Sequence, residues 1–428
     1  MNAQAVAGLF AGAIAIETAA RLWLATRQIA AVRAHRDRVP EPFSNEITLA
    51  DQQKAADYTV ARTRLGRVGF VVEASIALAL TFGGGIALLD AFWSRLALGQ
   101  PWHGTLVVLT TLLAILLIRL PLAAWRTFRI EARFGFNRVS PALFLADFVK
   151  RMLLGLLLTA PLLLIVLALL EGAGPWWWVT AWAVWVGATL GLGWAWPRII
   201  APLFNRFTPL ADSPLKSRVE ALLARCGFAS SGLFVMDGSR RSAHGNAYFT
   251  GVGRNKRIVL FDTLLQRLDA AEVEAVLAHE LGHFRLQHVR KRLILSIMGG
   301  FFGFAGLAWL AEQPELYPAL GVPAAPHSAL LVFMLIAPLF AFLWTPVASW
   351  WSRRHELAAD DFAVAHVDAR ALAGALIKLH RDNASTLTPD PLHSAFYDSH
   401  PPAPVRVSRL IRVGSPFAES RNQCSTSR

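Results

Sequence analysis

The chain has 428 residues, of which 54% are apolar, 17% are charged and 15 are tryptophan, with a mean hydropathy of +0.42. An ordinary soluble domain carries more charge than this, so composition points to a polytopic membrane protein. The formal charge of +13 fits arginines gathered in cytoplasmic loops against anionic headgroups, and no nucleic-acid partner is expected.

Seven segments are long and apolar enough to cross about 30 Å of hydrocarbon: 5–27, 66–92, 104–125, 151–171, 176–197, 292–312 and 327–351. The first apolar segment has no basic stretch before it and no small-residue cleavage site, so no cleaved leader is expected. Loops after the second, fourth and sixth segments hold almost no Lys or Arg. Those after the first and third are rich in them, from Arg33 to Arg64 and from Arg129 to Arg138, and 198–291 and the C-terminal part are basic too. Positive-inside counting gives an outside N-terminus, an inside C-terminus and a cytoplasmic face for 198–291 and for everything after 352. Glu17, Arg21, Glu73 and Arg119 fall inside these segments. Charge in lipid is costly, so Glu73 and Arg119 in particular imply a hydrated interior enclosed by the helices.

The polar stretch 198–291 reads as helix in "SPLKSRVEALLARCGF". The short runs "GLFVMDG", "NAYFTGVG" and "KRIVLFD" predict a small antiparallel sheet. Asp269 followed by Glu272 is a capping box, which predicts a helix starting at Ala270. With only Cys226 and Cys424, neither a disulfide framework nor a thiolate cage is expected.

The helix after Asp269 reads "EAVLAHELGHFRLQHVRKR". His279 and His283, four residues apart, project from one face and can reach one ion at about 2.0–2.1 Å. Glu280 between them can act on water at that ion, the H-E-x-x-H arrangement of zinc peptidases. His288 lies outside the pattern and is not expected to be a ligand. A catalytic site needs a third donor. "WSRRHELAADDFAVAHV" offers Glu356, with Asp360 one turn on to accept a hydrogen bond from a ligating imidazole. His355 and Asp361 are rivals by type, but the Glu356–Asp360 pair explains two residues with one geometry. His244, just before the "NAYF" strand, reads as a loop residue.

These motifs, with "EARFGFNRVSPALFLADFVK", "RIIAPLFNRFTPLADSPLKSRVEALLARCGF", "SRRSAHGNAYFTG" and "SHPPAPVRVSRL", resemble the type I CAAX prenyl proteases, integral-membrane zinc metallopeptidases of the gluzincin group. The resemblance covers roughly residues 1–412. It implies a seven-helix barrel around a water-filled chamber, mainly α, with a cytoplasmic-side zinc peptidase domain. It implies one Zn2+ held by His279, His283 and Glu356, Glu280 as general base, and Asp360 supporting an imidazole. Asn246 and Ala247 match a cleft-lining strand that pairs with an extended peptide, and His400 and Arg406 match residues facing the reacting carbonyl. Where the family usually carries Glu before that arginine, this chain has Val405.

The expected organisation is membrane helices over 1–197, a peptidase part over 198–291, two further spans over 292–351, a second peptidase part over 352–413, and a disordered tail over 414–428. The expected function is cleavage near the C-terminus of membrane-associated proteins, lipidated or not, in contact with membrane lipid and with no obligate protein partner. Two alternatives use the same residues: an HtpX-like membrane-protein quality-control protease, and a non-enzymatic transporter or scaffold holding zinc. The Ala-, Arg- and Trp-rich composition points to a bacterial inner membrane.

Overall fold

The computed structural model describes residues 2–228, 232–250 and 257–413; the expected disordered tail lies outside them. Chain order begins with α1 (Ala3–Ala34), α2 (Leu49–Leu80), α3 (Gly85–Ser94), α4 (Trp102–Trp125), α5 (Pro141–Gly172) and α6 (Trp177–Ala195). Polar side chains start the longest of these: Asn2 caps α1, Thr48 and Asp51 form a capping box on α2, and Ser140 caps α5, each satisfying backbone N–H groups that have no partner within the helix. The expected second span, 66–92, is not one helix. It breaks at Thr81–Gly84, where Gly84 takes a positive φ of 72° and the two segments meet at a 50° bend. A Cβ on Gly83 would sit 2.6 Å from the Ala79 carbonyl oxygen, so only glycine permits the bend.

Among the described residues, five helices are long and apolar enough to cross a membrane, or six if α2 and α3 form one bent span, rather than the seven expected. The shortfall lies with α6, nineteen residues long but spending many positions on tryptophan and glycine. Large apolar side chains face outward on the crossing helices, with Leu157, Phe302 and Leu343 about 70% exposed, the reverse of a soluble surface and what a hydrocarbon solvent requires.

Between α6 and the peptidase helices run β1 (Phe207–Pro209), α7 (Pro214–Arg225), β2 (Leu233–Met236), β3 (Ala247–Thr250) and β4 (Arg257–Phe261). The sheet order is β1-β2-β4-β3. It is mixed, not antiparallel as expected, because β2 and β4 run parallel while β1 and β3 are antiparallel to their neighbours. Strand β3 is left at an edge of this sheet.

The rest is helical: α8 (Asp262–Leu265), α9 (Ala270–Arg285), α10 (His288–Ala311), α11 (Leu316–Leu320), α12 (Pro326–Val364), α13 (Ala369–Asp382), α14 (Pro391–Tyr397) and α15 (Ala403–Val413). Helix α9 begins where the capping box predicts, with Asp269 accepting from the Ala271 and Glu272 N–H groups at 2.9 Å and Glu272 accepting from the Asp269 N–H at 3.0 Å. Asp269→Ala is expected to cost about 1 kcal/mol, read as a lower thermal midpoint in detergent. One apolar core, including Val219, Leu222, Ile258, Leu260, Leu277, Leu281, Leu372 and Val407, joins α7, β4, α9, α13 and α15. Ion pairs edge it: Glu272 to Lys378 at 2.7 Å, and Glu274 to both Arg218 and Arg225.

Within the membrane part, Arg21 bridges Glu17 at 2.5 Å and Glu73 at 3.1 Å, and Arg119 pairs with Glu73 at 2.8 Å. All four line a cavity of about 300 Å³ together with apolar residues such as Ile76, Ile115 and Leu335.

Candidate metal centre

Helix α9 is buried along nearly its whole length, and α12 packs directly beside it. The approach is set by small residues. A Cβ on Gly282 would lie 3.1 Å from the Cα and carbonyl oxygen of Ala359, and Ala359 is itself fully buried. Glycine on one helix thus meets alanine on the other, and the polar residues one turn away are drawn together.

Those residues are His279 and His283 on α9 and Glu356 on α12. The two Nε2 atoms are 3.2 Å apart, and they lie 3.4 and 3.2 Å from the Glu356 carboxylate oxygens. Donors around a tetrahedral ion at about 2.0–2.1 Å stand about 3.3 Å from one another, so the three converge at the separation one ion demands. Glu356 is 2% exposed, yet its Oε2 accepts no hydrogen bond of good geometry among the described residues. Burial works against a charged His279, but Asp360 and Glu356 outweigh it and lift the imidazole to about 9. The cluster therefore draws in positive charge, and two imidazoles with one carboxylate fit zinc in donor type and spacing.

Supporting groups fix the rings. The Asp360 carboxylate, 2.8 Å from His279 Nδ1, accepts the Nδ1–H and leaves Nε2 as the free donor. Arg406, 5% exposed, clamps Asp360 through Nε at 2.9 Å and a terminal nitrogen at 2.6 Å. Its other terminal nitrogen is 3.5 Å from Glu356. Val405 before it points outward, 53% exposed; the arginine draws its partner from α12 instead of from its chain neighbour. His400 lies 2.6 Å from Glu356 through Nδ1 and is well exposed. Burial, the largest influence on Glu280, raises its carboxyl above the ordinary value, while the His279 and His283 charges pull the other way.

His288 has a part that sequence reasoning missed. Gln287 takes a positive φ of 58°, which ends α9 and folds α10 back, so that His288 Nδ1 comes 3.1 Å from His283 Nδ1. It stacks on His355 at 3.9 Å. It is outside the converging trio, and at 3.1 Å its Nδ1 is placed to accept the His283 Nδ1–H, which would leave the His283 Nε2 free toward the trio. His288→Ala is expected to weaken metal affinity about 10–100-fold, measured by competition with a zinc chelator.

Asn246 is exposed and Ala247 buried at the start of the edge strand β3. The loop before it is held by Arg241, bidentate to Asp147 on α5 at 2.8 and 3.0 Å, and by the His244 ring stacked on Phe136. These anchors were also missed, although both lie in stretches carrying the family resemblance. A cavity of about 470 Å³, lined by Tyr58, Arg62, Arg126, Glu131, His244 and Asn383, opens beside this loop.

Paired histidines on α9 with a glutamate between them, and a carboxylate from α12, a helix long and apolar enough to cross a bilayer, put the protein among integral-membrane metallopeptidases. Sequence comparison narrows this. Residues 28–206 match the family described as CAAX prenyl protease N-terminal, five membrane helices, and residues 209–413 match peptidase family M48. The chain is 33% identical to the CAAX prenyl protease 1 homolog of Arabidopsis thaliana, over 91% of this chain and 93% of that one. It is 35% identical to CAAX prenyl protease 1 of Saccharomyces cerevisiae, over 69% of each. The crystal structure of S. mikatae Ste24p matches with a TM-score of 0.88 at 26% identity, covering 95% of this chain and 99% of that one.

The chain belongs to the CAAX prenyl protease 1 family of M48 metallopeptidases. It is a multi-pass membrane enzyme that hydrolyses protein substrates. These relatives are all eukaryotic, which leaves the expected bacterial membrane without support.

Proposed function

We propose that this enzyme removes residues from the C-terminus of prenylated, membrane-associated proteins, with one Zn2+ held by His279, His283 and Glu356. The observation that carries the metal assignment is the convergence of those three donors at tetrahedral spacing. The substrate class rests on relatives that bear the CAAX prenyl protease name.

Bound zinc supplies a Lewis acid that polarises the scissile carbonyl and makes water a nucleophile near neutral pH. Glu280 takes the proton from the attacking water and delivers it to the departing amine, a task its raised pKa suits. Asp360 holds His279 in the donating tautomer. His400 stabilises the charge that builds on the carbonyl oxygen, and Arg406, anchored on Asp360, adds its positive field. An extended peptide adds to the edge of β3, where Asn246 and Ala247 act partly through their main chain.

In this reading the peptidase residues of 198–291 and 352–413 face the cytoplasm, and the spans of 1–197 and 292–351 enclose a hydrated chamber. The ion-paired Glu17, Arg21, Glu73 and Arg119 would line that chamber.

The test offers reconstituted enzyme a farnesylated C-terminal peptide, the same peptide without the lipid, and an unmodified misfolded membrane protein. The expected result is cleavage of the farnesylated peptide at a kcat/KM at least tenfold above the others. Preference for the misfolded protein would replace this reading with quality control.

A further inference from the structure

Among the described residues a second trio of metal-donor side chains converges far from the peptidase site: Asp90 on α3, His103 on α4 and His327 on α12. His103 Nε2 lies 2.7 Å and His327 Nε2 3.0 Å from the same carboxylate oxygen of Asp90. His327 is 1% exposed and His103 8%, so two imidazoles are shut away from water around one carboxylate.

A hydrogen-bonded triad would explain His103 but not His327. Among the described residues neither ring nitrogen of His327 has a hydrogen-bond partner, despite the 3.0 Å approach of Nε2 to Asp90. The atoms are close but not aligned as donor and acceptor. Buried polar atoms left this way call for a missing partner. The Glu356 carboxylate in the peptidase site carries the same signature.

The chain also makes room for the trio. A Cβ on Gly104 would come within 3.2 Å of the His327 Cβ and Nδ1 atoms, so glycine on α4 lets that ring in. The break at Thr81–Gly84 turns α3 toward the start of α4, where Asp90 reaches His103. Without that bend, α2 would carry Asp90 away along its own axis.

We propose that Asp90, His103 and His327 form a second divalent-metal site, of the zinc class, that ties together the ends of α3, α4 and α12. Two imidazoles and a carboxylate suit zinc by donor type. Moving the Asp90 oxygen from 2.7 and 3.0 Å to the roughly 3.3 Å donor spacing of a tetrahedral ion takes a shift of about half an ångström, with the three donors already within 4.8 Å of one another. The Asp90 side chain, partly exposed, can supply it, and the same exposure gives the ion a way in. His327 and Glu356 lie on one helix, 29 residues apart by numbering, so the two sites are separated by roughly 40 Å and cannot share an ion.

The experiment counts zinc bound to full-length enzyme in detergent after equilibration with buffered free Zn2+. Two equivalents per chain are expected in the wild type and one in each of Asp90→Asn and His103→Gln, both with peptidase activity within about twofold of wild type. His283→Ala should also hold one. Loaded with Co2+, that variant should show the visible bands of four-coordinate cobalt and lose them when His327→Gln is added. A single equivalent in the wild type would overturn the proposal, as would Asp90→Asn retaining two.

Discussion

Glu280→Gln is expected to leave zinc bound and the fold intact while kcat drops about 10²–10⁴-fold, the usual share of a general base, or roughly 3–5 kcal/mol of barrier. The substitution keeps the shape of the side chain and its place between His279 and His283, and removes only the capacity to take a proton. None of the three converging donors is touched, so metal analysis should match wild type. Turnover near the normal rate would show that another group accepts the proton. Loss of zinc would mean that Glu280 belongs to the ligand set.

Gly282→Leu is expected to abolish activity by a different route. Added carbon at this position meets the Ala359 backbone and Phe362 Cβ at 3.1 Å, so a leucine must push α12 away from α9. Overpacking of this kind costs about 1–3 kcal/mol of stability. The larger effect falls on the metal. Glu356 rides on α12 and the histidines on α9, and displacement of about 1 Å costs on the order of 10²-fold in rate even when every ligand survives. Metal content should fall together with activity, while Gly282→Ala should do far less harm. A leucine variant with full zinc and normal turnover would show that the glycine does not set the helix spacing.

Much of the site was legible because its signals are local. A capping box fixed the start of α9, a four-residue spacing put two imidazoles on one face, and another four-residue spacing linked Glu356 to Asp360. His288 was not legible, since spacing arguments assume an unbroken helix and the positive φ at Gln287 carries no glycine to announce it. The parallel pairing of β2 with β4 was hidden for a related reason: a short apolar run tells which residues face inward but not which neighbour the strand will choose. The glycine triplet at 83–85 was visible, yet apolar residues on both sides made the segment read as one span. Arg406 illustrates the reverse. Its chain neighbour is Val405, but its carboxylate partner comes from 46 residues away.

The ligand set is divided by the membrane. Between His283 and Glu356 the chain runs out along α10 and back along α12, so the third donor meets the first two only if both helices have inserted, in opposite directions. A molecule in which either crossing failed would strand the glutamate across the bilayer from the imidazoles, however well the remainder folded. With the proposed zinc held by those three donors, hydrolytic power is withheld until the helical hairpin is correctly threaded.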